Sequence, residues 1–425
     1  MSTLFYERNR NKIFLFFVIV CLSLLFQDVI QQYYYQFKWI DELVGVGFLP
    51  ITLILFLAKE VKLYREEKVI LALFILTIIS GALSSLINGY QNSIAEVSDL
   101  VINSKFLGAY LFARVMFYEL NIKEYIKYLR IIFRLITVIV FLTTIFDMIW
   151  GLFPKVDKRF FIYSEKLLFY HPTYLALFCI VILSYLTLVS ENKFIDYVFI
   201  AQIMFVCAST FRAKALGLLV VYIILLIFIK KNKGIRLSYI IAAALLIVIL
   251  FIPQINKYYV ESSESPRNAL TTTGFKIAND YFPIGAGFGT FGSYVSGEYY
   301  SPIYVKYKID TVWGLEKKNV VFISDTFWPM IMGQFGYVGL ISYVILVISF
   351  FFLIKRILSI NTNYFFFALT PYLYLIISST AESSFSNYYS CSLFIMIGLA
   401  VNQLRINDLA TERRDNIIVA KRWDK

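Results

Sequence analysis

Residues 265–292, SPRNALTTTGFKIANDYFPIGAGFGTFG, hold the polar groups of this chain that hydrophobicity does not account for. Ser265 followed by Pro266 is a helix-start signal. A serine hydroxyl accepts from a first-turn amide, and proline's missing N–H costs nothing at the first helical position. The spacing predicts a short helix with Gly274 inside it, ending near Asn279 or Asp280 before the break at Pro283. Arg267 then falls in the first turn, where a cation opposes the helix dipole. Exposed amides joined by a guanidinium suit an anion. Pairing with Glu261 or Glu264 is the plainer use of the same charge. Gly285, Gly287 and Gly289 follow at every second position, so the backbone is free to take positive φ or to be approached closely by a ligand or a neighbouring helix. No soluble strand, crossover helix and strand surround them, which sets them apart from a dinucleotide fingerprint.

Further reactive groups stand at the ends of apolar runs. His171 is the only histidine and immediately precedes Pro172, a position suited to capping a helix and equally to holding or passing a proton. Arg212 and Lys214 interrupt an apolar region in STFRAKA. They serve either as interface anchors with buried stems or as a phosphate-binding surface, since an arginine fork pairs bidentately with phosphate oxygens. Lys155, Lys158, Arg159 and Lys166 lie together in the loop before His171, and Arg159 is the candidate contact among them. Asp325, in FISDTFWPMIMGQFGYVGL, is placed to cap the next helix or to face a substrate. Pro329 is expected to interrupt that helix, and Gly333, Gly336 and Gly339 recur as a smooth packing face. Glu382, in STAESSFSN, is a further candidate.

The elements that position these groups are read as membrane helices. Of 425 residues, 59% are hydrophobic, with 41 Phe, 32 Tyr and a mean hydropathy of +0.71, which is membrane composition. Apolar runs fall near 13–26, 43–58, 69–87, 101–120, 129–150, 167–189, 194–209, 213–229, 238–252, 336–354, 364–378 and 389–402. The expected fold is an all-α polytopic helical bundle of about twelve spans. The first run follows Arg8, Arg10 and Lys12 without a small-residue cleavage site, so it reads as an uncleaved helix entered from the cytoplasm. Basic residues cluster in alternate loops, which puts both termini in the cytoplasm and one long loop with short helices, 253–324, outside. The chain divides into nine spans (1–252), that loop, three spans (325–404) and a basic cytoplasmic tail (405–425). The formal charge of +12 follows from this loop pattern, and nucleic acid is excluded as a partner. Cys21, Cys179, Cys207 and Cys391 lie in or near apolar runs with no paired spacing, which excludes a disulfide framework or a zinc site. No metal or cofactor is expected.

Taken in order, RFFIYSEKLLFYHPTYLA, STFRAKA, PRNALTTTGFKIANDYFPIGAGFGTFGSY and SDTFWPMIMGQFGYVGL resemble the bacterial superfamily of O-antigen ligases and O-antigen or capsular polysaccharide polymerases. The resemblance covers roughly the second half of the chain and the loop before His171. It implies a metal-independent glycosyltransferase of the bacterial cytoplasmic membrane, facing outward, that uses undecaprenyl-diphosphate-linked oligosaccharides. Membrane lipids surround it, and a flippase and a chain-length regulator are candidate protein partners. In the family, an arginine of a short outer loop and one preceding a glycine-rich turn engage the diphosphate; Arg212 and Arg267 occupy those positions. Family ligases commonly carry a histidine followed by asparagine after the long loop. Ser324 and Asp325 stand here instead, which resembles the polymerases more closely. The reading therefore assigns Arg212, Arg267, His171 and Asp325 to catalysis, and Arg159, Lys214, Gly285, Gly287, Gly289 and Glu382 to substrate binding. A ligase and a lipid-linked oligosaccharide transporter are the alternatives, although no paired interrupted helices mark the two halves as a transporter's repeats.

Overall fold

In apolar surroundings every backbone N–H and C=O must find a partner within the chain, so long runs of Leu, Ile, Val and Phe become helices. The computed structural model describes residues 2–159, 162–232, 245 and 265–423. α1 (Ser2–Leu25) and the short α2 (Gln27–Ile30) lead to a 3₁₀ turn (Tyr35–Trp39), α3 (Ile40–Glu42), a π turn (Leu43–Gly47) and α4 (Leu49–Ala58). α5 (Arg65–Asn88), α6 (Ser93–Met116) and α7 (Ile126–Trp150) follow. A small antiparallel hairpin, β1 (Lys158–Arg159) and β2 (Ile162–Tyr163), sets Arg159 opposite Ile162. Next come α8 (Pro172–Leu188), α9 (Phe194–Ser209) and α10 (Ala213–Asn232). α11 (Pro266–Asp280), α12 (Tyr294–Glu298) and α13 (Pro302–Lys306) precede the long α14 (Trp328–Ile357), α15 (Thr362–Ser379) and α16 (Ser390–Trp423).

Among the described residues five helical stretches are long and apolar enough to cross a membrane: Tyr35–Ala58, Arg65–Asn88, Ile122–Trp150, Trp328–Ile357 and Ser390–Glu412. Pro172–Leu188, Phe194–Ser209 and Ala213–Ile229 are apolar but shorter. The span expected at 238–252 lies outside the described residues except for residue 245, and Glu261 and Glu264 lie outside them too.

Burial sorts the helices into layers. α8 and α15 are buried on nearly every face, as befits helices that are apolar all round. α5, α7 and α14 turn large apolar side chains outward, among them Leu86, Leu135 and Ile341. Apolar exposure repeated along several helices is the surface of a membrane protein. Inside, Arg114 of α6 is wholly buried and bonds Glu67 of α5 at 2.6 Å and Asn402 of α16. Losing either charged partner would leave an uncompensated buried charge, so this pair fixes how the three helices meet.

α14 departs from the sequence expectation. Its helix begins at Trp328, eight residues before the apolar run at 336–354, and Pro329 sits in the first turn instead of interrupting it. A proline there gives up no helical hydrogen bond. The irregular backbone lies at Gly336, with φ 63° and ψ −158°, a combination reserved for glycine.

Candidate active site

α11 starts as its sequence dictates. Ser265 Oγ accepts the Asn268 amide at 3.3 Å, Pro266 opens the helix, and Asp280 ends it. Arg267 in the first turn directs Nη2 to Asp325 Oδ2 at 3.0 Å and to the Ala381 carbonyl at 3.4 Å. The carboxylate offsets the dipole penalty on this cation. Asp325 does not cap α14, whose N-cap is Phe327 without a side-chain bond. Burial pushes the Asp325 carboxyl above the usual carboxylate range, while Arg267 opposes that rise.

The second cationic position forms where α9 turns into α10. Phe211 takes φ 48°, and the reversal brings Arg212 Nη2 to 2.9 Å from Asp157 Oδ2 and 3.4 Å from His171 Nε2. His171 is the N-cap of α8, its Nδ1 accepting the Thr173 amide at 3.3 Å. It is thus a capping residue and a site residue at once. Burial first, and then the Arg212 charge, lower the imidazole to about 4, so the ring is neutral near pH 7. A guanidinium can only donate, so the Arg212 contact calls for a lone pair on Nε2 while the Thr173 amide calls for one on Nδ1, and the neutral ring satisfies one of the two at a time. The imidazole edge and the Arg212 guanidinium thus meet at one point of the cavity, where the guanidinium supplies donors for a phosphate oxygen.

Lys214 Nζ lies 2.5 Å from Glu382 Oε1, and Tyr389 Oη donates to the same carboxylate at 2.5 Å. One cavity of about 530 Å³ is lined by His171, Arg212, Lys214, Arg267, Asp325 and Glu382 together with Asp157. Six residues singled out in distant parts of the sequence therefore converge. The cavity is not uniformly basic, as a phosphate surface would be: each of the three cations has a carboxylate partner in Asp157, Glu382 or Asp325. A phosphate must exchange with those carboxylates, and bidentate guanidinium geometry makes the exchange feasible. Asp157 was not legible as a site residue, although an acid inside the basic run KVDKR was its signal. Lys155, an outlier of the charge pattern, is neutralised by Asp147 and Glu165, each at 2.6 Å. Arg159 belongs to β1 by its backbone, and its side chain lies outside the described residues.

Gly285, Gly287 and Gly289 are placed against neighbouring helices. All three have positive φ, at 74°, 102° and 65°, but they serve helix packing and do not line the charged cavity. The break at Gly336 frees the Gly333 and Gln334 carbonyls, which accept the Ala286 and Gly287 amides at 2.8 and 2.9 Å. In return the Val338 amide donates to the Pro283 carbonyl at 3.2 Å. Ser85 Oγ of α5 accepts the Phe288 amide at 2.9 Å, and Asp99 of α6 accepts that of Gly289 at 2.9 Å. A Cβ on Gly287 would lie 2.7 Å from Ser85 Oγ, so no side chain fits. Gly287→Ala should cost about 1–3 kcal/mol through strain and overpacking, seen as a lower melting temperature of the detergent-solubilised protein. Unchanged melting with lost activity would return this glycine to the substrate.

No family model and no curated protein match this chain, so the convergence of these side chains carries the functional argument.

Proposed function

We propose that the protein is a polymerase that joins polyprenyl-diphosphate-linked oligosaccharide repeat units at the outer face of the bacterial cytoplasmic membrane. The observation that carries this reading is the meeting of Arg212, Arg267 and the Nε2 side of neutral His171 in one cavity at the ends of apolar helices. An anionic headgroup with an apolar tail suits such a place. The charge pattern of the loops supports an outward-facing site with both termini in the cytoplasm.

The reaction balances without a further reagent. A hydroxyl oxygen of one glycan attacks the anomeric carbon of another as the bond from that carbon to the diphosphate oxygen breaks. The electron pair leaves with the diphosphate, where Arg212 and Arg267 stabilise the growing charge; preorganised electrostatics of this kind is usually the largest catalytic term. The hydroxyl proton passes to Asp325. A diphosphate that takes over the Arg267 fork removes Asp325's cationic partner, which raises the basicity of this carboxylate as the donor binds.

Purified protein supplied with lipid-linked repeat units should produce a ladder of lengthening glycans. Transfer to a different lipid acceptor would instead mark a ligase, and relocation across a vesicle membrane without new bonds a transporter.

A further inference from the structure

A second and larger cavity, of about 710 Å³, adjoins the charged one and shares Tyr174, Asp325 and Glu382 with it. Its remaining walls come from residues 27–42, the N-terminal half of α6, residues 293–299 around α12, Ser324, Met330 and the loop after α15. The two spaces meet at the carboxylates on which the proposed chemistry depends. We infer that this second cavity is the acceptor site and holds an uncharged or amine-bearing glycan whose hydroxyl is presented at Asp325. The inference rests on the polymerase reading and adds to it where the second substrate lies and what that substrate is.

Three features select this ligand class. First, the wall of the cavity is built from polar side chains held in place by one another. Gln27 is 1% exposed and donates through Nε2 to the Lys38 carbonyl and to Asp41, at 3.0 and 2.6 Å. Sugar hydroxyls both donate and accept, which suits a wall of amides and carboxylates, whereas phosphate oxygens only accept. Second, among the described residues the cations of a diphosphate site are missing from the lining: Lys38 and Lys105 face Asp41, Glu42 and Glu298, Lys105 is bound to Asp41 at 2.6 Å, and the shared Asp325 and Glu382 are paired with Arg267 and Lys214. No arginine fork among the described residues lines this space, whereas Arg212 and Arg267 offer two next door. Third, Trp39 and Tyr294 line this cavity with 57% and 65% of their surface exposed. Such rings offer flat apolar faces with a polar edge, which matches the C–H faces and hydroxyl rims of a sugar ring.

The test uses the full-length protein in nanodiscs and two probes: the lipid-free repeat-unit oligosaccharide from the producing cell's own surface polysaccharide, and inorganic pyrophosphate. Trp39→Ala removes a stacking face, and Ser98→Trp fills the cavity from α6. Size-exclusion profiles and melting temperatures confirm that each variant folds, and the two act by opposite steric means. Both should weaken oligosaccharide binding by about tenfold or more and leave pyrophosphate binding at the parental value. The acceptor KM should rise in step. Oligosaccharide binding that is absent in the parent, or unmoved by both substitutions, overturns the inference. If oligosaccharide binding follows Trp39 and Ser98 while pyrophosphate ignores both Arg212→Ala and Arg267→Ala, the acceptor site stands and the diphosphate reading falls.

Discussion

Arg267→Ala is expected to lower polymer formation by about 10²–10³-fold, the usual cost of losing one preorganised donor to a developing oxyanion, with parental amounts of protein in the membrane. Arg267 bonds Asp325 at 3.0 Å from the first turn of α11, so its removal acts in two ways. The leaving diphosphate loses a fork, and Asp325 loses its cation before substrate arrives. Arg267→Lys separates charge from geometry: it keeps the cation but offers a point charge in place of a planar fork. It should recover part of the activity. A merely structural ion pair would predict that lysine serves as well as arginine. Polymer yield per correctly inserted protein distinguishes these outcomes.

Arg212→Ala should have an effect of similar size, with a second readout at His171. The chain has one histidine, so its imidazole signals report a single site. In the parent the titration midpoint is expected at about 4, because burial and the neighbouring Arg212 both disfavour the imidazolium. Removing Arg212 deletes the like charge and should raise the midpoint, while burial keeps it below that of a free histidine. The sign for stability follows. Between the unfolded value near 6.5 and the folded value of about 4, the unfolded chain binds the extra proton. His171 therefore lowers stability as pH falls through that window and contributes no change near neutrality. An unshifted midpoint in Arg212→Ala would show that the two side chains do not share one electrostatic environment.

Local signals were the readable ones. The Ser265-Pro266 start of α11 and the apolar limits of α9 were both legible, because capping and hydropathy depend on neighbours in sequence. The exception nearby, Pro329, shows the same physics misapplied: a proline interrupts a helix only beyond its first turn, and the true start at Trp328 was concealed by the polar approach to it. Pairings across the chain were not legible. Nothing local joins Arg212 to Asp157, Lys214 to Glu382 or Arg267 to Asp325, although five of the six residues are legible singly. The glycine-rich turn was open to a ligand or a helix. The break at Gly336 decides for the helix, by freeing carbonyls that the turn's amides fill. Gln27, Trp39 and Glu42 carry no local signal, because short polar stretches between apolar runs look like ordinary loops until a cavity gathers them.

The central claim is that the charged cavity holds the departing diphosphate, and binding measures this more directly than turnover. Purified protein in nanodiscs, titrated with a short-chain polyprenyl diphosphate and with the matching monophosphate, should prefer the diphosphate. Arg212→Ala combined with Arg267→Ala should abolish that preference, and Gly289→Ala, in the packing turn away from the cavity, should retain it wherever the variant folds. Equal affinity for both lipids in the parent, or a diphosphate preference that survives loss of both arginines, would contradict the account.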